Sequence, residues 1–173
     1  MKTINLKIFL QSGRFDDVRL GMDKKEVETI LGTPDDWMIA HRERKLKESS
    51  PIWRYGNIEF HFAFTNKLVA IFNDYLASKS IHGGSNLDIE TWIFNQPTIK
   101  TLSEVKNALE ENLIFFRVKK GMDEQQMILR LYSGVCLLFK DEDDDYNIIE
   151  DKEDFLLYAF EYRQPKVFSS LNF

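Results

Sequence analysis

The side chains that could carry chemistry are few and scattered along the chain. His41, His61 and His82 stand too far apart for the closely spaced ligand pairs of a zinc site. His61 alternates with Phe60 and Phe62, which puts it on the strand face opposite the core, in a cross-strand role. The single cysteine, Cys136, sits between Val135 and Leu137 in an apolar run and reads as a buried, inert thiol. Being alone, it also excludes an internal disulfide and a cysteine-rich metal site. The acidic run Asp141, Glu142, Asp143, Asp144, Asp145 lacks the glycine and the closing glutamate of a calcium loop. It reads as a solvated loop, with docking onto a basic partner as its functional alternative. His82-Gly83-Gly84-Ser85 has neither the lysine nor the following helix start of a phosphate loop. Catalytic residues, cofactors and metals are therefore not expected. Trp37, Trp53, Tyr55 and Trp92 all suit a core. Trp37 and Trp53, close to turns and strand ends, also suit anchors for a protein partner. With the acidic run they form the candidate binding surface.

Charge narrows the choice of partner. The 173 residues carry a formal net charge of −5 and a pI near 5.3, which argues against general nucleic-acid or anionic-membrane binding. The basic stretch from His41 to Lys47 has no interleaved aromatics to change that expectation. Hydrophobic residues make up 43% of the chain, with 14 Phe, ample for a packed core. No run approaches the length of a membrane span, and MKTINLKIFLQSG lacks the apolar core and cleavage site of a signal peptide. A cytoplasmic protein is expected.

The positioning elements are well punctuated. In LGMDKKEVETILGTP, Asp23 caps a helix and Glu26 completes a capping box, while Val27, Ile30 and Leu31 make an apolar stripe. Gly32 supplies a left-handed stop and Pro34 closes it. Ahead of this unit, Ile4, Ile8 and either Phe9 or Leu10 share a helical face that ends at Gly13. After it, Ile58, Phe60 and Phe62 line one face of a strand, and residues 68–72 supply its partner. Residues 77–87 form a Gly/Ser-containing linker between a first unit, 1–76, and a second, 88–173. In the second unit Thr101 and Glu104 repeat the capping box, MILRLYSGVCLLFK reads as the strongest strand, and Phe155 to Tyr162 as the last.

These signals recur in register. Asp23 and Thr101 lie 78 residues apart, as do Val27 and Val105, Leu31 and Leu109, and Gly56 and Gly134. Past the glycines the offset falls to 77, so that Ile58, Phe60 and Phe62 answer to Val135, Leu137 and Phe139. A bulge at Asn57 or Ser133 would absorb the slip. The expected fold is α+β, two tandem repeats of a helix and an antiparallel sheet, with the helices on one face.

The stretch LGMDKKEVETILGTPDD, with its Gly-Met-Asp turn, Glu-Val pair and L-G-x-P ending, resembles the small outer-membrane assembly lipoproteins of the SmpA/OmlA type. It is also similar to the beta-lactamase inhibitor protein, built from two helix-plus-sheet repeats. With IWRYGNIEFHF and LRLYSGVCLLF added, the chain resembles a group of cytoplasmic bacterial proteins carrying the same two blocks. The lipidated cysteine of the lipoproteins and the disulfides of the inhibitor have no counterpart here, so no site residue carries over. The resemblance implies architecture and a tendency to bind proteins. The function expected is a non-enzymatic immunity or inhibitor protein that neutralises a partner such as a basic toxin. The alternative is a structural or adaptor module without inhibitory action.

Overall fold

A computed structural model describes residues 1–38, 47–76, 79–121, 124–142 and 147–164. The first turn of the chain already departs from the helical reading. Lys2–Asn5 is a strand, β1, and helix α1 runs over Leu6–Ser12 because the Asn5 side chain accepts from Ile8 N and caps it. Starting the helix at Leu6 buries Leu6, Phe9 and Leu10 and turns Ile8 out to solvent.

The two capping boxes form as the spacing requires. In α2, Lys24–Leu31, Asp23 accepts from Glu26 N and Glu26 accepts from Asp23 N; Thr101 and Glu104 do the same for α3, Leu102–Glu111. Val27 and Leu31, like Val105 and Leu109, are buried. Gly32 ends α2 at φ 84°, ψ −176°, a glycine-only region distinct from the left-handed helical one expected. Asp23→Ala and Thr101→Ala should each lower stability by about 0.5–2 kcal/mol. Urea denaturation of the two variants measures this, and an unmoved midpoint would show that water replaces the cap at no cost.

Among the described residues, eight strands make the main sheet. They are β2 (Asp36–Trp37), β3 (Ile52–Tyr55), β4 (Ile58–Phe62), β5 (Leu68–Asn73), β7 (Phe116–Lys120), β8 (Gln126–Leu131), β9 (Val135–Lys140) and β10 (Leu156–Arg163). Their spatial order is β2-β3-β4-β5-β10-β9-β8-β7, every neighbour antiparallel. A small parallel sheet joins β1 to β6, Leu87–Glu90. The fold is therefore α+β and mostly sheet.

The run MILRLYSGVCLLFK is two strands and a turn, because Tyr132, Ser133 and Gly134 break it between Leu131 and Val135. The change of offset reflects the different places of the two glycines in their turns. Tyr55 pairs with Ile58 across the two residues Gly56 and Asn57, whereas the β8–β9 connection uses three. Gly56 opens its turn whereas Gly134 closes the longer one, so the glycines stand 78 residues apart while the strands that follow stand 77 apart, and no register shift falls at Asn57 or Ser133. Register shifts occur instead at His61/Phe62 and Leu157/Ala159.

Ile58, Phe60, Phe62, Val135, Leu137 and Phe139 all point into one hydrophobic cluster that also takes the apolar stripes of α1, α2 and α3. Residues 79–87 are stitched to the β3–β4 turn. Asn57 donates to Ser80 O at 3.1 Å and accepts from His82 N at 3.0 Å, and Asp35 accepts from Ser85 N and Gly56 N, each at 2.9 Å. Burial alone would raise the Asp35 carboxyl, but hydrogen bonds from Ser85 and Gly56 bring it below its ordinary value. Among the described residues, no helix is long and apolar enough to cross a membrane.

Candidate functional site

Of the expected aromatic rim and acidic run, the described residues are Trp37, Trp53, Asp141 and Glu142, and the tryptophans lie away from Asp141. Trp37 and Trp53 are cross-strand partners, and their row continues through Phe60, Ile71 and Tyr162 to Val135 at the start of β9. Asp141 follows Lys140 at the other end of that strand. Three strands also separate β3 from β9, roughly 19 Å of sheet. Trp53 is 1% exposed, its Nε1 donating to Lys47 O at 2.9 Å, so it belongs to the core and not to a rim. Trp37 is half-buried on the edge strand β2. Asp141 and Glu142 are half-buried, and Asp141 O accepts from Ile149 N at 2.6 Å. Asp143, Asp144 and Asp145 lie outside the described residues, as does most of the basic stretch 41–47.

Trp53 instead floors a cleft of about 550 Å³ between the start of α2, residues 47–49 and the β4–β5 turn. Lys24, Lys25, Lys47 and Lys67 surround it, with Asp23, Glu28 and Glu48. Little of that charge is free. Lys47 Nζ meets Glu28 at 2.5 Å, which draws the Glu28 carboxyl below its ordinary value, and Lys67 faces Asp23 at 3.9 Å. The capping carboxylates of Asp23 and Glu26 already take the amide hydrogens of Glu26 and Asp23, at 2.9 and 2.7 Å. Lys24 is buried, and burial pushes its amine down while Glu48 pulls it partly back. Its Nζ donates to Glu48 O at 2.6 Å and lies 5.3 Å from the Phe62 ring centre and 5.8 Å from that of Trp53. The arrangement holds a cation on an aromatic floor; it does not present a free nucleophile.

The sheet also presents a face away from the helices. Strand burial alternates along β4 and β9, inward residues buried and outward ones half-buried. One outward row crosses all eight strands in register: Asp36, Arg54, Glu59, Phe72, Glu161, Cys136, Arg130, Arg117. Its charges are sorted. Towards β2, Arg54 is paired with Asp36, and Glu59 shares a hydrogen bond with His61 at 2.8 Å. Glu161 holds Arg163 at 3.2 Å. Phe72 sits mid-sheet with the His61 ring edge-on at 6.1 Å. Towards β7 the row ends on two arginines. Burial pushes the Cys136 thiol up and Glu161 adds to it, while Arg130 and Lys119 pull it partly back. The thiol is thus only half-buried, on the outward face and not in the core, and poorly ionised.

Sequence reasoning found His61 on this face but not the row. Alternation assigns a residue to one side of its own strand, whereas the row needs the registers of strands up to about 125 residues apart in the chain. No family model matches this chain, and no curated protein or solved structure matches it either.

Proposed function

We propose that the chain is a non-enzymatic protein-binding protein of the immunity or inhibitor kind, acting in the cytoplasm to neutralise a partner protein such as a toxin. The observation that carries this reading is the sheet face left open by the helices. Seven strand spacings make it about 34 Å wide, and four to five residues of strand give about 15 Å of depth. With side-chain relief, that approaches the roughly 800 Å² each partner contributes to a standard interface. Its charge pattern, with Glu59 and Glu161 on either side of Phe72 and arginines towards β7, favours a protein partner, since fixed charge patterns select partners and a central aromatic sets the off-rate. The two halves, each a capped helix followed by a strand meander, we read as tandem repeats meeting at β5 and β10. The resemblance to helix-plus-sheet inhibitors belongs to the same proposal.

Trp37 and the acidic run keep separate roles here, one as an edge anchor and the other in steering a basic partner to the surface. The test is binding to, and inhibition of, the protein encoded beside this chain's gene. Phe72→Lys should leave the circular dichroism spectrum intact yet weaken the complex by about 2 kcal/mol or more, mainly through faster dissociation. Replacing Asp143, Asp144 and Asp145 with Asn should slow association and flatten its salt dependence. Full affinity in Phe72→Lys would overturn the open-face reading. Tight binding without inhibition would favour the adaptor.

A further inference from the structure

The outermost strand β7 differs from the rest of the sheet. Among the described residues its outer backbone edge is unpaired, β8 being its one neighbour there. Arg117, Val118, Lys119 and Lys120 are all exposed, so both faces of the strand project past the core. Arg117 and Lys119 point to the open face, where Arg117 stands opposite Arg130 and Lys119 opposite Ile128. Among the described residues no ion pair involves Arg117, Lys119, Lys120 or Arg130. Arg117, Lys119 and Arg130 thus make a cluster of three cations on the open face, a local reversal of sign on a chain of net charge −5. Arg117 and Arg130 border a cavity of about 310 Å³ with Lys119 and Tyr132.

Where β7 begins, the surface becomes apolar. Leu113, Phe115 and Tyr132 are 78%, 69% and 71% exposed. Phe115 and Tyr132 meet edge-to-face at 6.2 Å, and the Arg117 guanidinium lies 5.6 Å from the Tyr132 ring centre. Leu113 follows α3 at φ 56°, a left-handed conformation that a leucine adopts only under strain. These three side chains border a second cavity of about 230 Å³, of a size for one apolar side chain.

We propose that the free edge of β7 takes an acidic, extended segment of a partner protein as a ninth strand. Its carboxylates would meet Arg117, Lys119 and Arg130, and a terminal apolar side chain would meet Leu113, Phe115 and Tyr132. Main-chain bonds along the edge supply the affinity, and the alternating side chains supply the selection. A second copy of this chain is disfavoured as the occupant. Two β7 edges paired about Val118 would set Arg117 against Lys119 on both sides, and like charges directly opposite destabilise a strand pair. The site is distinct from the Phe72 region of the open face, and its test can fail without that reading failing.

The probe is a fluorescein-labelled peptide of alternating glutamate and valine ending in phenylalanine, followed by fluorescence anisotropy against the full chain. It should bind at least tenfold tighter than the same peptide with lysine for glutamate, and weaken as salt rises. N-methylation of alternate backbone amides should abolish binding. R117E/K119E should reverse the preference between the two peptides, and F72K should change nothing. Equal binding of both peptides, no binding of the acidic one, or indifference to N-methylation or to charge reversal would overturn the proposal. So would tighter binding of a thymidine oligonucleotide, which would make the cluster a phosphate surface instead.

Discussion

Phe60→Ala should lower the unfolding free energy by about 3–5 kcal/mol, the usual cost of emptying a buried phenylalanine site. Phe60 is fully buried, with the rings of Tyr55 and Phe15 edge-on at 5.2 and 5.4 Å. Tyr55 is itself fixed, its hydroxyl donating to Gly32 O at 2.7 Å, so it cannot swing in to fill the hole. Phe15 packs in turn on Phe9 at 5.5 Å, which ties the cavity to α1. A site walled by anchored rings collapses poorly, and that places the cost towards the upper end. Phe72→Ala is the control, because the same residue type one strand away faces outward and half-buried. It should cost clearly less. Urea titration of both variants decides the matter; equal midpoints would mean that the strand phase is not what sets the core.

That phase was legible because it is local. Ile58, Phe60 and Phe62 alternate over five residues, and Asp23 with Glu26 or Thr101 with Glu104 span a single helical turn. Features that depend on distant registers were not. β1 looked helical because Ile4, Ile8 and Phe9 fit a helical spacing, yet its pairing partner β6 lies some 85 residues on, and only that pairing makes residues 2–5 a strand. Nothing local marks Lys24, at the start of a helix, as buried, since its Nζ reaches the rings of Trp53 and Phe62 on two strands distant in the chain. Trp53 passed for a rim residue because turn residues precede it, but the Trp37 strand pairs outside it and shifts it into the core. Of the candidate surface, the composition of the acidic run was readable and the separation of Asp141 from the tryptophans was not. The cations of β7 were passed over because each is ordinary in its own strand. Only the alignment of Arg117 with Arg130 makes them a cluster.

Gly56→Ala and Gly134→Ala should differ by more than their shared backbone strain. Both glycines sit in hairpin turns at positive φ, 60° and 93°, where any side chain costs about 1–2 kcal/mol. A methyl group at Gly134 meets only the Tyr162 ring, at 3.3 Å, and a ring edge can give way. A methyl group at Gly56 would run into His82 O and Gly84 N, main-chain atoms of the segment stitched down by Asp35 and Asn57. Gly134→Ala should therefore cost about 1–2 kcal/mol, and Gly56→Ala about 3 kcal/mol or more. The excess has an identifiable source, and a double-mutant cycle isolates it. In an Asp35→Ala background the 82–85 segment is already loosened, so the added methyl displaces something that no longer resists. Gly56→Ala should then cost less than it does alone, whereas Gly134→Ala should remain additive with Asp35→Ala. Acid offers the same test without a second mutation. The Asp35 carboxyl is held below its ordinary value, so its contribution is present above about pH 4 and fades as pH falls and the proton returns. The gap between the two glycine variants should narrow over that range. A gap that is constant in pH and additive with Asp35→Ala would place the strain of Gly56 in its own turn, with no share in the packing of residues 82–85.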